Sequence, residues 1–144
     1  MRLIGATPES RNEVLAAAFR RYNICEERGS GFEKAVSAIE LFGLPPLQFR
    51  ETENSFCVVM SSPKKFAIMD LEERIEAAYQ HSVIKYFSNE AMTNKSLRER
   101  FGLDDRQSAQ ISRLIKEAIR DGKIKLKNLE SSSDKYRTYI PYWA

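Results

Sequence analysis

The spacing of apolar and polar positions predicts two helices in the first part of the chain. Apolar residues recur with helical periodicity over residues 10–22 and again over roughly 32–42. Ser10, with Glu13 three positions later, is the predicted N-cap of the first helix. Gly43 suits the left-handed position that ends the second helix.

A β-hairpin and a linker follow these helices. Two strands are predicted at residues 47–51 and 55–60. They are joined by Thr52, Glu53 and Asn54 and should therefore form an antiparallel pair. Residues 61–65, Ser-Ser-Pro-Lys-Lys, have the composition of a linker. We therefore predict the following division of the chain: residues 1–62, a linker at 63–69, and residues 70–144.

The second half predicts three helices followed by another hairpin. The first helix runs from Leu71 to Tyr86, and Thr93-Asn94 caps a short second helix. Asp104 or Asp105 caps the third helix, which ends at Gly122. Strands are predicted at residues 124–127 and 136–140, joined by a serine-rich loop. This order is that of a winged helix-turn-helix, and the predicted fold class of the whole chain is α+β.

The positive charge is concentrated in the second half. The chain has 23 Lys and Arg against 20 Asp and Glu, a net charge of +3. Residues 1–70 are neutral, with nine basic and nine acidic side chains. Residues 106–127 hold seven basic side chains against two acidic ones. Such an excess is expected of a surface that binds a polyanion, although a solvated helix face has the same pattern.

The outer face of the third helix carries side chains suited to reading DNA. Its apolar stripe faces inward, and glutamine, serine and arginine on the other face can bond base edges or phosphate. The base-edge candidates, near the helix N-terminus, are Gln107, Ser108, Gln110 and Arg113. Arg106, Lys116 and Arg120 complete this face, the last two as phosphate contacts.

The second hairpin adds basic side chains to the same prediction. Lys125, Lys127, Lys135 and Arg137 would contact the DNA backbone or an adjacent minor groove. The alternative is a winged helix that binds another protein or dimerises, because a fold does not dictate its partner. The aromatic residues at the C-terminus, such as Trp143, are expected to pack against the first helix of this half.

A glycine pair precedes the second helix of the first half. The loop Gly29-Ser30-Gly31 would place unpaired N–H groups and the positive end of a helix dipole beside an anion. The spacing does not match a P-loop or a dinucleotide fingerprint, so a plain connecting turn is the alternative.

Several short motifs of the first half resemble one bacterial family. They are Ser10-Arg11-Asn12, Glu27-Arg28-Gly29-Ser30-Gly31, Gly43-Leu44-Pro45-Pro46 and Phe56-Cys57-Val58-Val59. In order and over most of residues 4–61, they resemble the C-terminal region of the RecG-related family, which joins a Schlafen AlbA-like domain to a histidine-kinase-like ATPase fold. The resemblance implies that Gly29, Ser30 and Gly31 lie beside nucleotide phosphates.

The resemblance also implies missing parts. The family's Mg²⁺-holding asparagine helix and first glycine box have no counterpart in these 144 residues. We therefore expect a fragment of a longer protein that by itself holds no cofactor, ATP and Mg²⁺ being bound only by the full-length protein. Residues 108–124 resemble the recognition helix and following strand of bacterial winged-helix regulators.

Other classes of function are not indicated. The sequence has no membrane-spanning run, no signal peptide, no metal-ligand cluster and no pattern of catalytic residues. Its two cysteines, Cys25 and Cys57, are expected to be small buried side chains. We predict a cytoplasmic, homo-oligomeric bacterial transcriptional regulator that binds double-stranded DNA. The alternative is an ATP-binding or ATP-hydrolysing protein whose winged helix serves assembly.

Overall fold

The computed structural model describes residues 7, 9–25, 30–127 and 137–144. Five helices are present in these ranges: α1 Glu13–Arg21, α2 Ser30–Leu41, α3 Leu71–Phe87, α4 Asn94–Arg100 and α5 Ser108–Arg120. Four strands form two antiparallel pairs: β1 Gln48–Glu51 with β2 Phe56–Val59, and β3 Ile124–Leu126 with β4 Tyr139–Pro141. Short 3-10 turns lie at Phe66–Ile68 and Asp105–Gln107. The α+β class is confirmed.

The first helix begins two residues later than its sequence pattern predicts. Asn12, not Ser10, is the N-cap of α1, and its Oδ1 accepts a 3.0 Å hydrogen bond from the backbone N–H of Leu15. Asparagine at this extended position satisfies one of the N–H groups that the first helical turn leaves unpaired. The end of α2 is as predicted, because Gly43 has the positive φ, 60°, of a helix-terminating glycine.

The hairpin of the first half has the predicted strands and turn. Gln48 pairs with Val59 at the open end, and Glu51 pairs with Phe56 beside the turn. The Thr52 N–H donates to the carbonyl oxygen of Ser55 at 2.8 Å and closes that turn. On one side of the hairpin, Phe49 lies edge-on to Phe32 of α2, with ring centroids 5.5 Å apart.

The helix starts of the second half follow their capping signals. Asp70 caps α3 and Thr93 caps α4, each with a reciprocal bond from the residue three positions on. Asp104 caps the 3-10 turn that leads into α5, so the regular α-helix begins only at Ser108.

The last strand lies nearer the C-terminus than predicted. The sequence pattern places it at residues 136–140, whereas β4 is Tyr139–Pro141 and Tyr136 lies outside the described residues. Tyr139 is buried in the core and pairs with Leu126, which fixes the register. Tyr139 also exchanges two backbone hydrogen bonds with Met92, of 3.0 and 2.8 Å. Met92 therefore adds a one-residue bridge to the β3–β4 pair.

Two apolar clusters hold the fold together. The larger one lies among α3, α4, α5 and the second hairpin, and includes Ile75, Ala78, Met92, Leu97, Ile111, Ile115 and Ile124. The smaller one joins the two halves of the chain: Val36, Ile39 and Leu47 pack against Tyr79 and Val83 of α3. The Gln80 side chain strengthens this junction, because its amide nitrogen donates to the Leu47 carbonyl oxygen at 3.0 Å.

The predicted linker has structure of its own. Phe66 is buried in the larger cluster, in edge-to-face contact with Phe101 at 4.8 Å between ring centroids. Lys64 forms an ion pair with the buried Glu73 at the start of α3. The division into residues 1–62 and 70–144 remains a prediction from the sequence.

Candidate nucleic-acid interface

One face of α5 is apolar and buried, and the other is basic and exposed. Ile111, Leu114, Ile115 and Ala118 lie in the larger cluster, which fixes the rotation of the helix about its axis. The opposite face presents Gln110, Arg113 and Lys116, and the 3-10 turn that precedes α5 presents Arg106. All four side chains are exposed and have no hydrogen-bond or ion-pair partner among the described residues.

Two of the predicted base-edge residues have internal partners. The Gln107 side-chain oxygen accepts from the backbone N–H of Asp104 at 3.1 Å, as part of the cap. The Ser108 hydroxyl donates to Oδ1 of Asn94 at 3.2 Å. Both residues are half-buried. Their polar groups fix the start of α5, and the exposed candidates for base contact are Gln110 and Arg113.

The charge of the face is reduced at its C-terminal end. Arg120 is exposed and forms an ion pair with Glu117, and its Nε lies 3.9 Å from Oδ1 of Asp121. Surface pairs of this kind are weak, so Arg120 can still exchange its partners for a phosphate.

The second hairpin presents two exposed lysines, Lys125 and Lys127. Lys125 lies opposite Ile140, and the Lys127 N–H donates to the Thr138 carbonyl oxygen at 2.9 Å. Arg137 is half-buried, and Lys135 lies outside the described residues.

Lys123, one of the seven cations of residues 106–127, turns away from this surface. Its ammonium donates to Glu76 of α3 at 2.9 Å and lies 5.6 Å from the centre of the Tyr79 ring. Burial opposes the charged form, but the hydrogen bond and charge of Glu76 outweigh it and raise the pKa of Lys123. Lys123 therefore ties β3 to α3.

The aromatic tail packs against α3, as expected. Trp143 Nε1 donates to the Tyr79 hydroxyl at 3.1 Å, and the Trp143 ring lies edge-on to Tyr86 at 5.4 Å between centroids. Burial is the main reason that the pKa of Tyr79 is raised. These contacts hold Trp143 against the smaller cluster, while Tyr142 stays exposed.

His81 stands between an acid and a hydroxyl. Its Nδ1 contacts Glu40, and its Nε2 lies 3.0 Å from Ser96 Oγ. The arrangement Ser96–His81–Glu40 resembles a nucleophile–base–acid relay. However, the Ser96 hydroxyl also donates to the Thr93 carbonyl oxygen and accepts from the Thr93 N–H. Since His81 is only 4% exposed and Ser96 is used for capping, this is a structural network.

The glycine loop is described only in part. Gly29 lies outside the described residues, Ser30 is the first residue of α2, and Gly31 is the second. A Cβ at Gly31 would have no neighbour within 4 Å, and Gly31 is not among the positive-φ residues. Nothing in the described part of the chain requires a glycine there.

Three further features concern metal binding, membrane insertion and the two cysteines. Within the described ranges, no three His, Cys, Asp or Glu side chains group as a metal site would require. None of the described helices is both long and apolar enough to cross a bilayer. Cys25 and Cys57 are both exposed, so the expectation that they are buried was wrong. Each belongs to a surface that no other described element covers.

Comparison with known proteins gives a family match over the first part of the chain. No curated protein and no solved structure matches the chain. Residues 2–60 match a family of the HATPase type, described as "Putative ATP-dependent DNA helicase recG C-terminal". The segment containing α1, α2 and the first hairpin is thus similar to the C-terminal part of RecG-related proteins.

Proposed function

We propose that residues 70–144 are a winged helix that binds double-stranded DNA. The order α3, Met92 bridge, α4, α5 and hairpin supports this reading, with α4 and α5 as the helix-turn-helix. Asn94 and Leu97 join these two helices through hydrogen bonds and core packing.

The basic face of α5 is the observation that carries this proposal. Arg113 and Lys116 of α5, and Arg106 of the turn before it, are exposed and without partners in the described chain, and Lys125 and Lys127 of the hairpin are exposed as well. A cation that lacks an internal partner is free to replace counterions at a phosphate, which is the main source of DNA affinity.

The proposed contacts of this surface are of two kinds, to base edges and to the DNA backbone. Gln110 and Arg113, one helical turn apart, are proposed to read base edges, glutamine favouring adenine and arginine favouring guanine. Lys116 and Arg120 are proposed to meet phosphates. Lys125, Lys127, Lys135 and Arg137 are proposed to contact the backbone or an adjacent minor groove. Arg106, Gln107 and Ser108 lie at the N-terminal edge of this set.

Fluorescence-anisotropy titration with random and selected duplexes, at two salt concentrations, tests the proposal. Log K should fall by about 0.9 per log unit of salt for each phosphate neutralised. Lys125→Ala should weaken binding to both duplexes alike, whereas Arg113→Ala should cost about 1–3 kcal/mol on the selected site only. Lys85→Ala, which removes one cation from α3, is the charge-matched control and should change neither affinity. If neither duplex binds at low salt, the protein-interaction alternative replaces this proposal.

The whole protein is proposed to be a bacterial transcriptional regulator of the cytoplasm that acts as a homo-oligomer. A two-fold symmetric operator would require a dimer, with half-sites about 10 base pairs apart or a multiple of that.

The family match favours a second candidate, an ATP-binding or ATP-hydrolysing protein whose winged helix serves assembly. The unexplained glycine at position 31 supports it, since a helical glycine costs about 0.5–1 kcal/mol relative to alanine and also permits close approach of a ligand. Because the resemblance implies that the Mg²⁺-holding elements are missing, we expect at most weak ATP binding and no hydrolysis by this chain.

Calorimetric titration with Mg-ATP separates the two candidates. Gly31→Ala should leave the fold intact or stabilise it slightly, because no described neighbour opposes a methyl group. Micromolar ATP affinity that Gly31→Ala abolishes would favour the second candidate. The matched control is Ser37→Ala, which changes an exposed residue on the same helix, away from the loop.

A further inference from the structure

Glu40, at the C-terminal end of α2, contacts two helices of the second half with its two carboxylate oxygens. Oε1 contacts Nδ1 of His81 on α3. Oε2 accepts a 3.1 Å hydrogen bond from Nε of Arg100 on α4. The same guanidinium donates from Nη2 to the Leu44 carbonyl oxygen at 2.7 Å. One acidic side chain of the first half therefore lies at the junction of α3 and α4.

These groups are shielded from water, so each charged group depends on its partner for stability. The side chains of Arg100, His81 and Glu40 are 2%, 5% and 16% exposed. Burial lowers the pKa of Arg100, and the charge of Glu40 opposes that shift. A guanidinium at this depth needs its carboxylate, because an unpaired buried charge is strongly unfavourable.

A continuous set of contacts leads from Glu40 to the face of α5. His81 reaches Ser96 on α4, two residues from Asn94 along the same helix. Asn94 in turn donates to the Ser108 carbonyl oxygen and the Ser112 hydroxyl of α5, at 3.0 and 2.9 Å. The position of α4 relative to α3 thus depends on Glu40, and the start of α5 depends on α4.

We propose that Glu40 is a positioning residue. It couples residues 2–60, the segment similar to RecG-related proteins, to α5, the proposed DNA-recognition helix. The expected effect on DNA affinity rests on the proposed DNA-binding function of α5. Any ligand or partner that moves α2 would move Glu40 away from Arg100 and change the specific affinity for DNA. The physical basis is a set of direct side-chain contacts between helices, which can carry energetic coupling between distant sites.

The test compares Glu40→Gln with Glu33→Gln in the full chain. Glu33 lies on the same helix, is exposed and has no partner among the described residues, so it controls for the loss of one negative charge. Glu40→Gln should lower affinity for a selected duplex by about tenfold and affinity for a random duplex clearly less, because the hairpin lysines proposed to contact phosphates are untouched. Glu33→Gln should change neither.

Amide hydrogen exchange gives a readout that does not need DNA. Glu40→Gln should speed exchange in α4 and at the start of α5, while the centre of α3 stays protected. Were Glu40→Gln to unfold the chain, Arg100→Lys would serve instead. That variant retains a cation but loses the planar guanidinium, whose Nε and Nη2 reach Glu40 and the Leu44 carbonyl separately, and it should show the same two effects.

The outcomes are distinguishable. Exchange in α4 and α5 that matches wild type in both variants would overturn the coupling, as would equal loss of selected and random binding. If the wild-type chain binds no duplex, the proposed DNA function fails, and the exchange experiment alone decides whether Glu40 positions α4.

Discussion

The side-chain nitrogen of Asn94 donates a 3.0 Å hydrogen bond to the carbonyl oxygen of Ser108, the first residue of α5. A second bond from the same nitrogen reaches the Ser112 hydroxyl at 2.9 Å. Asn94 Oδ1 accepts from Arg98 Nε and from the Ser108 hydroxyl. One amide therefore uses its donor and acceptor groups to fix the start of α5 against α4.

Asn94→Ala should destabilise the fold by about 1–3 kcal/mol, because it leaves partly buried polar groups of α5 without partners. The free energy of unfolding, from urea denaturation followed by circular dichroism, measures the effect. Lys95→Ala changes an exposed neighbour on the same helix and should stay within about 0.5 kcal/mol of wild type. Equal effects of the two substitutions would contradict the role of Asn94.

Ile111 and Ile119 lie on one helix but differ in burial, being 0% and 37% exposed. Ile111→Ala should cost about 2–5 kcal/mol, since it leaves a cavity in the larger cluster. Ile119→Ala should cost clearly less, because its side chain is already partly in water. The same denaturation measurement compares them, and a cost at Ile119 equal to that at Ile111 would mean that α5 is rotated from the described orientation.

Stability should fall as the pH rises above about 10. The pKa of Tyr79 is raised from 10.0, chiefly by burial, and that of Lys123 is raised from 10.5 by Glu76 against the effect of burial. For both groups the folded state binds its proton more tightly than the unfolded state does. Their contribution is therefore complete below pH 10 and is lost as the pH rises through the folded pKa values.

Thermal unfolding at a series of pH values from 8 to 11 checks the direction. Glu76→Gln should lessen the alkaline loss, because it removes the group that raises the pKa of Lys123. A melting temperature that rises between pH 10 and 11 would contradict the assignment.

Local elements could be predicted from the sequence because their signals are local. Gly122 follows α5 at φ 66°, and Thr93 and Asp104 cap the helices that their spacing indicates. The errors are local too: Asn12 replaced Ser10 as a cap, since several polar residues precede α1 and only the backbone geometry selects one.

The contacts between the halves could not be predicted. Glu40 and Arg100 are 60 positions apart, and each reads from the sequence as an ordinary solvated charge. Gln107 and Ser108 likewise have the residue types of a DNA contact and of a helix cap, and only the structure shows their hydrogen bonds to Asp104 and Asn94. Exposure and partners, which decide the role of a polar side chain, are properties of the tertiary fold.

The apolar side of α1 has no cover among the described residues. No residue of α1 is buried, and Val14 and Tyr22 remain 83% and 74% exposed. On the hairpin, Phe56, Val58 and Met60 are also exposed. The outer edges of β1 and β2 lack a strand partner in the described part of the chain, and unpaired edges favour pairing with another chain.

Self-association through α1 and the first hairpin is therefore expected. A single short helix buries less than the roughly 1,000 Å² of a stable interface, so the association should be weak and concentration-dependent. Sedimentation equilibrium over a range of protein concentrations measures it. Val14→Glu places a charge in the apolar stripe and should shift the equilibrium to monomer, whereas Ala17→Glu adds the same charge outside the stripe and should shift it less. A chain that is monomeric at every concentration would contradict this prediction.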